Sequence, residues 1–270
     1  MEFKQYKPDF NEALRYWDAF WNRQIIDRPC IVIQASKEGI EQNLKPPCRV
    51  GYNPEIDIPY GSGGQLVVHL PLRDGKVISG QFELAVKTFE KWAGRTCFGG
   101  EAIPSFHPTF GPDQFATFLG AELMQSEEKI GTSWAVPFVN NWEKVLPFSL
   151  QGNSCVWNEM LNFLKYLASA SEGKFFVSML DLHSNMDGLA AIRGIDKLCI
   201  DLIEQPKVIE KAVRSIRSLY FHVYGGIYEA GDMARTGTIG WAPFYSFGKF
   251  ATIQRTTSMG QVHSYISKIF

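Results

Sequence analysis

The sequence contains no C-x-x-C pair, and its five cysteines (Cys30, Cys48, Cys97, Cys155, Cys199) are odd in number and widely scattered. That pattern excludes a zinc ribbon and a disulfide framework and reads as small, reduced side chains of a core. No stretch reaches the roughly 18 consecutive apolar residues that a membrane-spanning helix needs. The opening "MEFKQYKPDF" mixes charges and lacks an apolar signal core. No basic run occurs and the formal net charge is −1, so nucleic acid and anionic membranes are not predicted partners. Internal repeats and low-complexity tracts are absent, as is a G-x-G-x-x-G after the first predicted strand, which removes the main support for a dinucleotide-binding open sheet. These absences predict a cytoplasmic protein whose partner is a small-molecule substrate.

What is present is aromatic. Aromatic residues make up 14% of the 270, with 20 Phe and 7 Trp, enough for a bulky core and for an apolar pocket besides. The length suits one large α/β domain or two small ones. Phe10, Leu14, Trp17 and Trp21 recur at helical spacing, and "CIVIQA" (30–35) follows as a β-branched run of strand length. A hairpin is predicted around Asp74-Gly75, and Phe82, Ala85, Phe89 and Trp92 mark a second helix. A short extended piece precedes Gly111-Pro112, with Pro112 placed at the first position of the next helix. "TSWAVPFV" (132–139) reads as a strand and Trp157 to Ala168 as an amphipathic helix. "KFFVSML" (174–180) is an almost continuous apolar run, the pattern of a strand buried on both faces. Pro206 opens a long helix, and "TGTIGWAPF" (236–244) reads as the next strand. Strand and helix alternate about five times, which argues for a parallel sheet with right-handed crossovers.

Three blocks, "FGGEAIPSFHPTFGPDQFATFLGAEL", "DLHSNMDGLAAIRGIDKLCIDLIEQPKVIEKAV" and "GWAPFYSFGKFATIQ", together resemble the uroporphyrinogen decarboxylase-like superfamily in its divergent bacterial branch, and "FWNRQIIDRPCIVIQA" fits as well. The resemblance runs colinearly over residues 10–254. It implies a (β/α)8 barrel of TIM type with ligands at the carboxyl ends of the strands. Members that decarboxylate uroporphyrinogen carry an arginine-rich "RQAGR" after the first strand. Here "IQASK" (33–37) stands in its place, with Lys37 at the last position. Alignment on Gly194 puts Ala190 where those enzymes keep a tyrosine. The resemblance therefore implies a lyase or a methyl-transfer enzyme acting on a carboxylated or methylated small molecule, rather than a true uroporphyrinogen decarboxylase. The methyltransferases of the superfamily bind zinc through a His-x-Cys pair plus a distant Cys and work with a corrinoid protein. No H-x-C occurs in this chain. The family pattern continues beyond "SFGKFATIQ", whereas "RTTSMGQVHSYISKIF" (255–270) departs from it. The expectation is a single barrel domain cut short at about five of eight units, with an atypical tail. A non-catalytic fragment is the third functional reading. An unpaired sheet edge would then favour self-association or a homodimer.

In such a barrel the loop after the 174–180 strand faces the pocket. Asp181 and His183 are its candidate acid/base pair, and Asn185 a candidate substrate contact. Asn185 and Asp187 are equally suited to cap the following helix. His107, at the end of a short strand, Gln34, at the end of the first, and Trp241 are further substrate-binding candidates. No metal ligand set is assigned. Glu101, after Gly99-Gly100, reads equally as an inward-pointing group or a turn carboxylate. Trp134 reads as a core ring in preference to a stacking surface for a planar ligand, and His69, His222 and His263 have no supporting context.

Overall fold

A computed structural model describes residues 5–37, 61–62, 64–69, 72–73, 76–77, 80–125, 133–150, 154–240 and 242–249. Helix α1 (Phe10–Trp21) buries Phe10, Ala13, Tyr16, Trp17 and Ala19 along one side, as its spacing predicts. Then come β1 (Val32–Ser36), β2 (Gly61–Ser62), β3 (Gln65–His69) and the predicted hairpin, β4 (Leu72–Arg73) with β5 (Lys76–Val77). Helix α2 (Gln81–Arg95) runs directly into β6 (Thr96–Gly100), and β7 (Ser105–Thr109) follows a short turn. The short α3 (Gln114–Phe118), β8 (Glu122–Gln125) and β9 (Ser133–Val136) precede α4 (Cys155–Ala170). After β10 (Phe176–Val177) come α5 (Asn185–Arg193), α6 (Ile195–Glu204), the long α7 (Pro206–Ala230) and α8 (Met233–Thr236). Strands β11 (Thr238–Ile239) and β12 (Tyr245–Ser246) end the described order.

The architecture is mixed α/β around a small sheet ordered β2-β3-β7-β10. Strands β3, β7 and β10 are parallel and β2 is an antiparallel edge. No closed barrel is present among the described residues. The sheet is nevertheless strongly curled. Strands in a flat sheet lie about 4.8 Å apart, which would set β10 nearly 10 Å from β3 and any strand beyond it farther still. Yet the Gln65 amide, on β3, donates to Ser178 Oγ and to the Gly240 carbonyl, both at 2.9 Å. Met179 N, just past β10, also donates to Ile239 O at 2.7 Å, which brings β11 alongside.

Side chains alternate across these strands. Phe106 packs against Phe89 of α2, Phe163 of α4 and Phe175, so this face of β7 meets the helices. Ser105, His107 and Thr109 point to the opposite, concave face, and all five residues of β7 are buried. At the amino ends of the strands Phe10, Trp17, Ile103, Phe176, Ile239 and Tyr245 form a second apolar cluster, so α1 plugs that end.

Two predicted barrel strands lie elsewhere. Strand β1 pairs antiparallel with β6, and β9 pairs antiparallel with β8. Both show the reason in their burial. Val32–Ser36 alternates half-buried with exposed, and Ser133–Val136 also alternates, whereas a parallel strand between two helix layers is covered on both faces. Residues 175–180 of the 174–180 run are all buried, as expected, but only Phe176–Val177 form a strand. Pro112 does not open its helix: α3 starts at Gln114 with Asp113 as the flanking N-terminal residue.

Candidate functional site

The ladder of β10 ends where Ser178 N donates to Phe106 O at 2.8 Å and Met179 N to Ile239 O. The chain then leaves the carboxyl end of the sheet. Residues two apart on extended backbone share a side, so the D-x-H spacing turns Asp181 and His183 toward each other. His183 Nε2 and Asp181 Oδ2 lie 3.0 Å apart, with about a third of each side chain exposed (31% and 32%). The hydrogen bond to Asp181 is the main cause of a raised His183 pKa. Burial opposes it, and the charges of Asp181, Asp187 and Asp113 add to it. The imidazolium is thus favoured beyond its ordinary range, in a group that water and a small ligand can both reach.

Three residues from two elements surround this pair. Gln114, fully buried at the start of α3, donates from Nε2 to the Asp181 carbonyl at 2.8 Å and accepts at Oε1 from Phe110 N at 3.1 Å. Asp113 Oδ2 accepts from Ala135 N at 3.2 Å, which fixes its carboxylate beside the same turn. From α7, Tyr220 packs against Phe115, and burial, with Tyr224 and Asp181 nearby, pushes its hydroxyl pKa up to about 12. Sequence reading missed all three. The "GPDQF" run that contains Asp113 and Gln114 has no periodicity that marks a buried polar side chain.

Asn185 opens α5 with φ +54°, a left-handed conformation that asparagine tolerates better than most residues. Its Oδ1 accepts from Arg217 Nε of α7 at 3.4 Å. The flanking residue of α5 is Ser184 and no side chain caps that end, so neither Asn185 nor Asp187 plays the capping role. Asp187 sits within the first turn. His107 stands on the concave face of β7 opposite Val67 and is 3% exposed.

The remaining candidates lie apart from this rim. Gln34 Oε1 accepts from Gly64 N at 3.1 Å, immediately before β3, so it belongs to the amino end of the parallel strands. Lys37 is exposed and donates to Gly94 O at 2.8 Å. Glu101 is 1% exposed and accepts from both terminal nitrogens of Arg28, at 2.9 and 2.7 Å, and from Ile31 N at 2.7 Å. Burial pushes its carboxyl up, but these bonds outweigh it and leave the pKa low, which makes Glu101 a structural anchor. Trp134 is 43% exposed on β9 rather than a core ring, and His222 is exposed on α7. Trp241, His263, the His69 side chain and the 255–270 tail lie outside the described residues.

Among the described residues no three His, Cys, Asp or Glu side chains are grouped to hold a metal ion, so the zinc set of the methyltransferases does not fit them. No described helix is long and apolar enough to cross a membrane. Comparison of the chain with known protein families, with curated proteins and with solved structures finds no match.

Proposed function

We propose that the chain is an acid–base lyase of the uroporphyrinogen decarboxylase-like type, acting on a carboxylated small molecule, with Asp181 and His183 as its proton-transfer pair. The reading rests on one observation: a 3.0 Å Asp–His contact, half-buried, just past the carboxyl end of a parallel strand. Ligands of parallel α/β folds bind at that end, where loops converge over the sheet. The curl of the sheet and its helix-covered convex face support a (β/α)8-type arrangement as the underlying design.

In the proposed reaction the bond between the substrate's carboxylate carbon and its neighbour breaks, and carbon dioxide leaves. The electron pair stays on the remaining carbon. His183 delivers a proton to that carbon and is reprotonated from solvent. Because Nε2 is held by Asp181, Nδ1 is the nitrogen presented to substrate. Asp181 fixes the ring and favours its protonated form, the state a general acid needs. Asn185, two residues past His183 and bonded to Arg217, and His107, on the concave face of β7, are the proposed substrate contacts. Gln34 is engaged at the far end and takes no part. Uroporphyrinogen itself is not the proposed substrate, since Lys37 is tied to Gly94 and Ala190 offers no hydroxyl.

The test is a screen of aliphatic and aromatic carboxylic acids for carbon dioxide release, with His183→Ala alongside. The expected result is release by the wild-type protein and a loss of about 10²–10⁴-fold in the variant, which remains folded. Equal release by both proteins, or methyl transfer from methylcobalamin to a thiol in place of release, contradicts the proposal.

A further inference from the structure

Gln114 is a buried side chain that joins the end of β7 to the loop carrying the proposed proton-transfer pair. It is fully buried, its Oε1 accepts from Phe110 N at 3.1 Å, and its Nε2 donates to the Asp181 carbonyl at 2.8 Å. Phe110 directly follows β7, and Asp181 is the first half-buried residue after the 175–180 run. A buried amide needs partners, and these two backbone groups have left the strand ladders at this level, so each satisfies the other's requirement. The Asp181 main chain is thereby pinned, and the direction of its side chain toward His183 with it. We propose that Gln114 is a positioning residue, setting the Asp181 carboxylate against the His183 ring through the Asp181 main chain without touching substrate. The proposal rests on the reading of Asp181 and His183 as the proton-transfer pair for its functional meaning, but its structural content stands on the hydrogen bonds alone.

Charged and titratable groups face His183 from several elements: Asp181 on its own loop, Asp113 ahead of α3 and Asp187 on α5. Tyr220 on α7 faces Asp181, and Arg217 on α7 reaches Asn185. Substituting Gln114 by an uncharged residue leaves all of these in place, so a change at His183 reports geometry and not a lost charge.

The experiment is an NMR titration of the His183 ring in four full-length proteins: wild type, Gln114→Leu, Asp181→Asn and the double variant. Gln114→Leu is expected to lower the His183 pKa toward the ordinary imidazole range. In the Asp181→Asn background the same substitution is expected to produce no further shift, because its route of action is already gone. Gln114→Asn, which keeps the amide but is one methylene shorter, provides an intermediate shift and a folded comparison should the leucine variant fail to fold. An unchanged His183 pKa in both Gln114 variants, with only a lower Tm, overturns the proposal, as does an equal shift with and without the Asp181 carboxylate. Loss of turnover in His183→Ala together with an unmoved titration in the Gln114 variants would sink this inference and leave the lyase reading standing. The converse result would do the reverse.

Discussion

Arg193 donates to both oxygens of Asp201, at 2.6 and 3.0 Å, and to the carbonyls of Val139 and Asn140 at 3.0 and 2.9 Å. Trp142 Nε1 adds a third bond to the same carboxylate at 2.7 Å. Burial pushes the Asp201 carboxyl up, but these donors outweigh it and hold the pKa below the usual range. Removing the cation leaves a buried charge without its partner, a change that costs about 3–5 kcal/mol. Arg193→Met is therefore expected to lose stability on that scale, read as a fall in the urea midpoint. His183 presents the opposite sign at the surface. Its folded pKa is raised, so the pair with Asp181 stabilises fully below the unfolded imidazole pKa and stops contributing as pH rises through the folded value. The stability gap between wild type and Asp181→Asn is expected to be widest at mildly acid pH and to close toward alkaline pH. Its size is about 0.5 kcal/mol, the range of a partly exposed pair. A gap that is flat with pH would contradict this assignment.

Helix α5 carries the loop of the pair into the helix layer, and Gly188 is what lets it lie so close. A Cβ at Gly188 would stand 2.8 Å from Ile216 Cδ1 of α7 and 3.1 Å from the His183 carbonyl. The isoleucine end can turn aside, but the carbonyl belongs to the site. Gly188→Ala is expected to cost about 1–3 kcal/mol, the range of overpacking, and to displace the His183 main chain, read by thermal melting and by the ring signals of His183. At this scale the long helices α1, α2, α4 and α7 were legible in the sequence, whereas α6 and α8 were not. Pro206 and the Ile209, Val213, Ile216, Tyr220, Val223 stripe predict α7, and every one of those apolar residues is buried. Strands β1 and β9 were legible as strands but not as antiparallel pairs, because a short β-branched run carries no information about its neighbour. The 174–180 run was legible as buried because covering on both faces leaves a compositional mark, although only Phe176–Val177 of it pair in the parallel sheet.

Among the described residues the larger apolar cluster extends from Leu66 to Met233 and joins α2, α4, α5 and α7 to the convex face of the sheet. The concave face carries polar side chains, Gln65, Ser105, His107 and Ser178, beside Val67 and Phe176, where a packed barrel interior is mostly branched and apolar. The α/β alternation foretold the helix-covered sheet, and the place of Asp181 and His183 after the strongest strand singled out the two residues that the structure brings to 3.0 Å. What stayed hidden was long-range: Gln114 lies 67 residues before its partner Asp181, and Gln65 lies 175 before Gly240. No local pattern encodes such bonds. The central claim is that Asp181 and His183 form one proton-transfer unit at the carboxyl end of this sheet. An NMR titration of the His183 ring in wild type and Asp181→Asn tests it most directly. The account predicts a His183 pKa above the ordinary imidazole range in the wild type and a clear fall in the variant. An ordinary value in the wild type, unmoved by the substitution, would contradict it.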